Sequence, residues 1–380
     1  EIPIASHVIS KELNQTTHIE LHRHIALGSQ WLDLSQNSKV TLFTHTSMEY
    51  MGSLVRFAEQ WQGPLSVAIY VPGVDFHLTK LYINYLQDCH SQLMSRMTVH
   101  FDFETSNIPI SLGDCPSNDI AMDKLVSWRT EKVIRFLHNT PYPNNILRNL
   151  ARDAVQNEYL MMVDMELIPS QNMFQGLEEF LRKNETKDCF TCAYVIPQFE
   201  IESSAYWELP KAKKQLITMI KSNLAEPLYH TRYKPFSHCV QGYKWLDIPD
   251  RIRVEIAFTT NYTFLCEPIV VIRSTAPGYQ NEFRGFGFDR ASHIIHLYLT
   301  DYSLHVLNPL YFLHLGRKLD AKMSQKQYAE LEINCIHLKK MLHQLQPTNR
   351  KDVCADLFKI VLPESFTALK LVYLSEKLAL

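Results

Sequence analysis

The chain has 380 residues, of which 46% are hydrophobic, enough to bury one large core or two small ones. Its 38 basic and 40 acidic residues leave a formal net charge of -2, so the composition predicts no nucleic-acid partner. No run of 18 apolar residues occurs, and the sequence therefore predicts no transmembrane helix within the chain.

The N-terminal part predicts alternating strands and helices. Residues 1–37 are polar without a clear period, and we interpret them as a stem or lead-in. Apolar runs predict three core strands, at 40–45, 65–71 and 98–103. A helix is predicted around 48–61, and 105–121 is predicted to be a loop because it contains Pro, Gly, Ser and Asn. The strand–helix–strand order favours a parallel, nucleotide-binding half.

Residues 142–170 are the most informative stretch. Pro143 stands at a favoured helix-start position. In the helix that follows, one face is apolar and another carries Asn145, Arg148, Asn149 and Arg152. Residues 159–163 then form an apolar run of the length of a buried strand, and the strand ends on Asp164 and Glu166.

Carboxylates after a buried strand point to a ligand. In an open α/β sheet, ligands bind beyond the carboxyl ends of the strands. Two carboxylates at i and i+2 can hold one divalent cation, which neutralises a diphosphate, while the polar helix face holds the rest of a nucleotide. A bare acid-x-acid triplet is usually solvated surface, so its position at the strand end is what favours function.

The C-terminal part continues the alternation. Helices are predicted at 171–183, 210–223, 289–299, 324–345 and within 350–380. A strand is predicted at 190–197, and 264–316 is predicted to hold two strands around the helix 289–299. Residues 226–262 are interpreted as irregular and rich in aromatics. This order predicts a layered α/β sheet with a ligand at one rim.

Eight cysteines permit disulfides without showing them. Cys189 and Cys192 have C-x-x-C spacing, which we interpret as structural, because a second zinc-ligand pair and a thioredoxin-like pattern are both missing. Sequons at Asn14, Asn184 and Asn261 agree with a secretory lumen, although a chain of this size carries about two by chance.

Several blocks occur in the same order as in a known family. A Y-P-x-N-x-L-R-N-x-A helix and an acid-x-acid strand end stand at 142–151 and 164–166. Further blocks stand at 40–73, 196–220, 266–294 and 306–316, the last ending a strand on a histidine. Together they resemble glycosyltransferase family 49 over about residues 38–345.

The resemblance implies an α/β fold of the GT-A type, with a nucleotide-binding mixed sheet and flanking helices. It implies a stem at 1–37, a catalytic domain at 38–320 and a helical extension packed on it at 321–380. The implied activity is an inverting, Mn²⁺-dependent transfer from a UDP-sugar donor, with glucuronic acid passing from UDP-glucuronate to a xylose-terminated glycan. The alternatives are a UDP-N-acetylglucosamine donor and a non-catalytic glycan-binding relative.

The resemblance also implies roles for individual residues. Donor contacts are expected from Thr44, His45, Asn145, Arg148, Asn149 and Asp164, and metal ligands are expected to be Asp164, Glu166 and His314. Asp289 is the first candidate for the general base, and Glu267 is the second. Each of these positions also has an interpretation without a functional role: a buried turn at 44–45, a solvated helix face at 145–149, a core histidine at 314 and a helix cap at 289.

The departures from the family pattern fall in two places. Glu166 replaces the usual second Asp and is one methylene longer, which changes metal geometry without removing the ligand. Asp289 stands where the family has Asn, and segments 239–242 and 280–283 differ in the half expected to hold the acceptor. The exact sugar and acceptor are therefore left open.

Compartment follows from the same resemblance. The chain begins at Glu1 rather than Met, so we expect an N-terminal cytosolic tail and signal anchor to be missing. The chain is then the ectodomain of a type II membrane protein in the Golgi lumen, acting on the glycan of a glycoprotein. A homodimer is left open.

Overall fold

The computed structural model describes residues 21–103, 115–203, 209–228, 240–263, 266–316 and 323–345. The strands in chain order are β1 Leu21–Leu27, β2 Val40–Ser47, β3 Leu65–Val71, β4 Met97–Phe103, β5 Tyr159–Met162, β6 Leu167–Pro169, β7 Cys192–Ile196, β8 Gln198–Ile201, β9 Ala225–Pro227, β10 Glu255–Thr260, β11 Ile269–Arg273, β12 Ser303–Asn308 and β13 Phe312–Leu315. In the described part, they form two mixed sheets.

The larger sheet has the order β1-β4-β3-β2-β5-β11-β7-β12-β10. Its strands β4, β3, β2 and β5 are parallel to one another, and β1, β11 and β10 run antiparallel to the neighbours with which they pair. The carboxyl ends of β2 and β5 therefore lie side by side, and both point to the same rim of the sheet.

The smaller sheet has the order β6-β13-β8-β9. Strand β6 follows the acidic triplet directly and pairs antiparallel with β13, with Leu167 opposite His314. This register brings the end of β13, the last strand in the described residues, to the residues that follow β5. The second sheet thus positions two distant segments at one rim.

Helices cover both faces of the larger sheet. They are α1 Trp31–Asn37, α2 Ser53–Gln60, α3 Asp75–Cys89, α4 Ser91–Met94, α5 Asn118–Ser127, α6 Glu131–Asn139, α7 Asn144–Arg152, α8 Met173–Leu181, α9 Asn184–Lys187, α10 Lys213–Lys221, α11 Gly242–Asp247, α12 Ala291–Leu299 and α13 Gln325–Leu345. A short 3₁₀ turn, Met48–Tyr50, follows β2. The described chain is therefore a layered α/β fold.

The core has two layers because the strands alternate their side chains. Leu42 and Met161 pack with α2, α3, α5 and α8 on one face. Phe43 and Leu160 pack with α7, α10, α11 and α12 on the other face. A third cluster joins α12 to α13, with Leu331 and Leu338 buried between them.

The structure confirms most of the predicted elements. β3 spans the predicted residues, and the ends of β2, β4, β5, α8, α10 and α13 lie within three residues of the predictions; α7 begins one residue after Pro143. Residues 21–37, interpreted as part of a lead-in, instead contribute β1 and α1. The segment 226–262, interpreted as irregular, contains α11 and β10, and 264–316 contains three strands rather than two.

Several sequence interpretations lie partly or wholly outside the described residues. The N-terminal residues 1–20, the first part of the loop predicted at 105–121 and the helix predicted within 350–380 are among them. The second part of the predicted loop is described, and there α5 begins at Asn118. Within the described ranges, no helix is long and apolar enough to cross a membrane.

Disulfides tie loops to the helical layers. Cys89 at the end of α3 is bonded to Cys115, which precedes α5. Cys189 is bonded to Cys192 and closes the turn that leads into β7, so the C-x-x-C pair is a local cross-link. Cys266 and Cys335 are disulfide-bonded as well.

Lys213 holds the start of α10 against two distant segments. Its ammonium is buried and donates to the carbonyls of Trp245 and Ile248, at 2.7 and 2.8 Å, and to the side-chain oxygen of Asn308 at 2.7 Å. The ammonium also lies 3.8 Å from the centre of the Trp245 ring. Burial lowers its pKa to about 8.

Lys213→Met is expected to lower the free energy of unfolding by about 2–4 kcal/mol, because three acceptors lose their donor, two of them in fully buried hydrogen bonds. Lys214→Met, at the exposed neighbouring position, should change it by less than about 0.5 kcal/mol. Denaturant unfolding of both variants checks this. Equal midpoints for the two variants would show that the buried ammonium contributes nothing to stability.

Candidate active site

A cleft of about 710 Å³ opens at the rim where β2 and β5 end. Its walls come from the residues after β2, from those after β5, from the loop before α12 and from the start of α13. The residues that the argument below uses are His45, Tyr50, Tyr142, Asp164, Glu166, Phe286, Lys326 and Glu330. The acidic triplet thus lies in a cleft at the predicted edge of the sheet.

Glu166 and His314 meet at this rim. His314 Nε2 lies 2.9 Å from Glu166 Oε2. The other ring nitrogen, Nδ1, lies 2.8 Å from the carbonyl oxygen of Gly316 and must donate to it, because a carbonyl only accepts. In the neutral ring the Nε2 lone pair then faces a carboxylate oxygen, and two such atoms at this distance need a proton or a metal ion between them.

Asp164 is engaged by two arginines instead. Its Oδ2 accepts from Arg290 Nη1, and its Oδ1 lies 3.8 Å from Arg148 Nη2. Across the described ranges, no three His, Cys, Asp or Glu side chains are grouped closely enough to hold a metal ion. The structure therefore brings together two of the three expected metal ligands and pairs the third with Arg290.

Arg290 is a site residue that the sequence reasoning missed. Its Nη2 donates to the backbone carbonyl of Glu267 at 2.8 Å while its Nη1 holds Asp164. The sequence did carry a signal, because the basic residue Arg290 directly follows Asp289 and the glycines at 285 and 287. An arginine here places a fixed positive charge and a planar fork of donors beside the strand end.

The polar face of α7 is mostly occupied by protein. Asn145 donates to the carbonyls of Gln280 and Asp289, at 2.9 and 3.0 Å. Asn149 exchanges hydrogen bonds with the backbone of Tyr279, at 2.7 and 2.9 Å. These side chains fix the loop before α12, and in the described part of the chain the helix contributes Asn144 to the cleft wall rather than the expected residues.

Arg148 is buried beneath the same loop. Its Nη1 donates to Asp289 Oδ2 at 2.6 Å and to Asn145 Oδ1 at 2.7 Å, and its guanidinium lies 5.6 Å from the Tyr279 ring centre. Of the three expected donor-contact residues on α7, Arg148 alone comes near Asp164. Its direct role is to hold Asp289.

The sequence predicts that Thr44 and His45 close β2, but the strand continues to Ser47, so both lie within it, in different environments. His45 lines the cleft, and its Nδ1 lies 3.2 Å from the Tyr142 hydroxyl. Its buried Nε2 has no hydrogen-bond partner among the described residues, and burial strongly lowers its pKa, to about 3, so the ring is neutral. Thr44 is fully buried behind it.

The two candidate bases differ in what surrounds them. Burial raises the pKa of Glu267 to about 7, and the charges of Arg290, Asp289, Arg148 and Asp164 act on the same carboxyl. The Asp289 carboxylate is bound by Arg148. Helix α12 begins at Ala291 after Arg290, and the helix cap that the sequence allowed at Asp289 is not formed in this described segment.

Two of the three sequons lie in described residues. Asn184 and Asn261 are both exposed, whereas Asn14 is outside the described part. Thr186, the third residue of the sequon at Asn184, is buried, and its hydroxyl donates to the carbonyls of Leu181 and Lys183, at 3.0 and 2.8 Å. Enzymatic modification of Asn184 would therefore have to precede this packing.

The mixed sheets, the flanking helices and the acidic rim beside the cleft form a layered α/β fold with a candidate ligand site at the strand ends. The family model described as "Glycosyl-transferase for dystroglycan" matches residues 39–348. The chain therefore belongs to glycosyltransferase family 49, and the resemblance seen in its motifs is confirmed. It is a glycosyltransferase.

Individual relatives agree with the family. The chain is 27% identical over 318 residues to beta-1,4-glucuronyltransferase 1 of Mus musculus, covering 81% of this chain and 75% of that protein. It is 27% identical over 289 residues to the xylosyl- and glucuronyltransferase LARGE1 of Gallus gallus, covering 74% of this chain and 32% of that protein. A crystal structure of GalNAc-T7 with UDP, GalNAc and Mn²⁺ is similar at a TM-score of 0.38 and 10% identity, covering 86% of this chain and 54% of that one.

Proposed function

We propose that this chain transfers glucuronic acid from UDP-glucuronate to a xylose-terminated glycan, with inversion and with Mn²⁺ as cofactor. The observation that carries the proposal is the facing of Glu166 and His314 beside Asp164 at the cleft rim. The names of the relatives, glucuronyltransferases of two kinds, favour glucuronate as the transferred sugar.

The ligand set suits Mn²⁺. One neutral imidazole and carboxylate oxygens are ligands that this metal accepts, and the Gly316 carbonyl orients His314 in the way that ligating histidines are usually oriented. Asp164 would complete the set once it leaves Arg290. Bound there, the cation would neutralise charge on the diphosphate leaving group.

Arg290 supports glucuronate over an uncharged sugar. When Asp164 turns to the cation, the guanidinium loses its carboxylate partner next to the donor site. A planar fork of N–H donors fits a carboxylate in a bidentate manner, and the C6 carboxylate of glucuronate offers one. His45 lines the cleft and would contact the donor through Nε2, the ring nitrogen without a hydrogen-bond partner among the described residues.

We place Glu267 ahead of Asp289 as the base for the transfer step, because Arg148 occupies the Asp289 carboxylate; neither residue is among those that line the cleft in the described part of the chain. A carboxylate whose pKa is about 7 accepts a proton more readily than an ordinary one and is still ionised near neutral pH. It would take the proton of the acceptor hydroxyl as that oxygen attacks the anomeric carbon. The bond from that carbon to the diphosphate oxygen breaks on the opposite face, and UDP leaves.

A non-catalytic glycan-binding relative is the second candidate. The observation in its favour is the ion pair between Asp164 and Arg290, which holds an expected metal ligand away from Glu166 and His314. A UDP-N-acetylglucosamine donor is the remaining alternative within the enzyme class.

Release of UDP from a panel of donors, with and without Mn²⁺ and a xylose-terminated acceptor, tests these candidates together. We expect UDP release with UDP-glucuronate only when both Mn²⁺ and acceptor are present. Faster turnover of UDP-N-acetylglucosamine would replace the donor assignment. No release from any donor, with glycan binding retained, would favour the binding protein.

We further propose that the chain works in the Golgi lumen, the compartment that the family resemblance implies. Disulfides and exposed sequon asparagines suit an oxidising, glycosylating compartment. Expression in a secretory host should yield glycans on both Asn184 and Asn261. Substitution of either asparagine by Gln should remove the glycan at that position alone. Mass spectrometry that finds both asparagines unmodified in secreted protein would contradict this.

A further inference from the structure

The loop at 284–288 is held firmly against α13. Asn334 Nδ2 donates to three of its carbonyls, those of Arg284, Phe286 and Gly287, at 2.8, 3.1 and 2.9 Å. Glu330 Oε2 accepts from the Phe286 N–H at 2.8 Å. The helix thus binds several backbone groups of the loop, whereas Gly285 binds the other wall: its N–H donates to the Tyr142 carbonyl at 2.7 Å, and its carbonyl accepts from Asn144 Nδ2 at 2.6 Å.

The conformation of this loop is unusual. Gly285, Gly287 and Phe288 have φ of 65°, 99° and 62°, in the left-handed region that disfavours residues with a side chain. A Cβ on Gly285 would lie 2.3 Å from the carboxyl carbon of Glu330, so the close docking needs glycine there. Backbone strain of this kind concentrates at ligand clamps and active sites.

The loop presents one aromatic ring to the cleft. Phe283 and Phe288 on either side are buried against α13, whereas Phe286 is 41% exposed and lines the cleft. Tyr50, from the turn after β2, also lines the cleft and is 66% exposed. Exposing a phenylalanine costs hydrophobic burial, and a strained and anchored loop that does so indicates a ligand contact.

Hydrogen-bonding groups stand beside the ring. Glu330 Oε1 is buried, accepts no hydrogen bond from the described residues and lies 3.7 Å from Lys326 Nζ. Both side chains line the same cleft. An apolar ring face next to a carboxylate oxygen matches a pyranose, which has an apolar C–H face and hydroxyl donors at its edge.

We propose that Phe286 is the stacking platform of an acceptor subsite, on which a pyranose of the acceptor glycan lies while a hydroxyl donates to Glu330. The proposal rests on the function proposed above, because it places the acceptor in the same cleft as the donor. Asn334 is the positioning residue that sets the height and angle of the ring.

Phe286→Ala tests the platform, and because the ring is exposed the variant should fold normally. We expect the KM for a xylose-terminated acceptor to rise by about tenfold or more while UDP affinity in Mn²⁺ stays unchanged. Phe286→Trp should retain acceptor affinity. Phe190→Ala, which removes an exposed phenylalanine on the turn of the Cys189–Cys192 disulfide, is the matched control and should behave as the unaltered protein.

Direct calorimetric binding of the acceptor glycan separates this proposal from the proposed function. If the protein releases no UDP yet binds the glycan, and Phe286→Ala abolishes that binding, the subsite stands and the transferase assignment falls. If Phe286→Ala binds the glycan as tightly as Phe190→Ala does, the platform is wrong. The same conclusion follows if the unaltered protein does not bind the glycan at all.

Discussion

His314→Ala is expected to abolish Mn²⁺-dependent UDP binding, with an affinity loss of about 100-fold or more, and with it turnover. The Gly316 carbonyl fixes the imidazole so that Nε2 faces Glu166. Without the imidazole, the pair keeps one ligand, the Glu166 carboxylate, whose side chain is 60% exposed. Calorimetric titration of UDP in the presence and absence of Mn²⁺ measures the effect without requiring activity.

His343→Ala is the matched control, because this histidine is exposed near the end of α13, and it should leave UDP binding unchanged. Asp164→Ala should resemble His314→Ala if Asp164 joins the cation. If Asp164→Ala retains Mn²⁺-dependent binding while His314→Ala loses it, the pair formed by Glu166 and His314 binds the metal alone. Unchanged binding in both variants would refute the metal site.

In the proposed function, the ion pair between Asp164 and Arg290 links the metal site to the donor site. A cation bound to Asp164 would weaken the attraction between this carboxylate and the guanidinium, because both positive charges would face the same two oxygens. Arg290 would then interact more strongly with the negative charge that arrives with the donor. Under that proposal, the arginine would connect occupation of the metal site to donor recognition.

The sequence was sufficient for elements buried on both faces. Strands β2, β3 and β5 are almost wholly buried, so their apolar runs stand out without further context. β10 was missed because it is an edge strand whose residues are mostly half-exposed and which has no apolar run. β1 lies at the opposite edge of the sheet and was missed for a similar reason, because the sequence around it is polar and the strand contains no long apolar run.

The site was predictable in location and less so in detail. The rule that ligands lie beyond strand ends predicted the region of Asp164 and Glu166, and the motif match predicted that His314 would join them. The pairing spans 148 residues and depends on the register of β6 with β13, which composition cannot give. In the sequence, the polar face of α7 resembled a face open to a ligand. In the structure, its asparagines bind backbone carbonyls of the loop before α12, and backbone partners leave no residue pattern in a sequence.

Glu267→Gln is expected to lower turnover by a factor of about 10² to 10⁴ while UDP and Mn²⁺ affinities stay normal. Glutamine keeps the size of the side chain and cannot accept the proton of the acceptor hydroxyl. Burial raises the pKa of Glu267 from 4.5 to about 7, and the base must be ionised to act. The acceptor-dependent rate of the unaltered protein should therefore rise with pH through about 7, and a stopped assay across pH measures it.

The same substitution has a stability effect that does not depend on activity. A carboxyl whose pKa is raised on folding stabilises the fold below its unfolded pKa of 4.5, and this contribution is lost as pH rises through about 7. Glu267→Gln mimics the neutral form, so it should raise the thermal midpoint at pH 8 and have little effect near pH 4.5. Asp289→Asn serves as the comparison, because Arg148 would lose a bound carboxylate and the fold should weaken instead. If Asp289→Asn lowers turnover more than Glu267→Gln does, and the rate of Glu267→Gln still rises with pH through about 7, Asp289 is the base. Glu267 would then be only a neighbouring carboxyl.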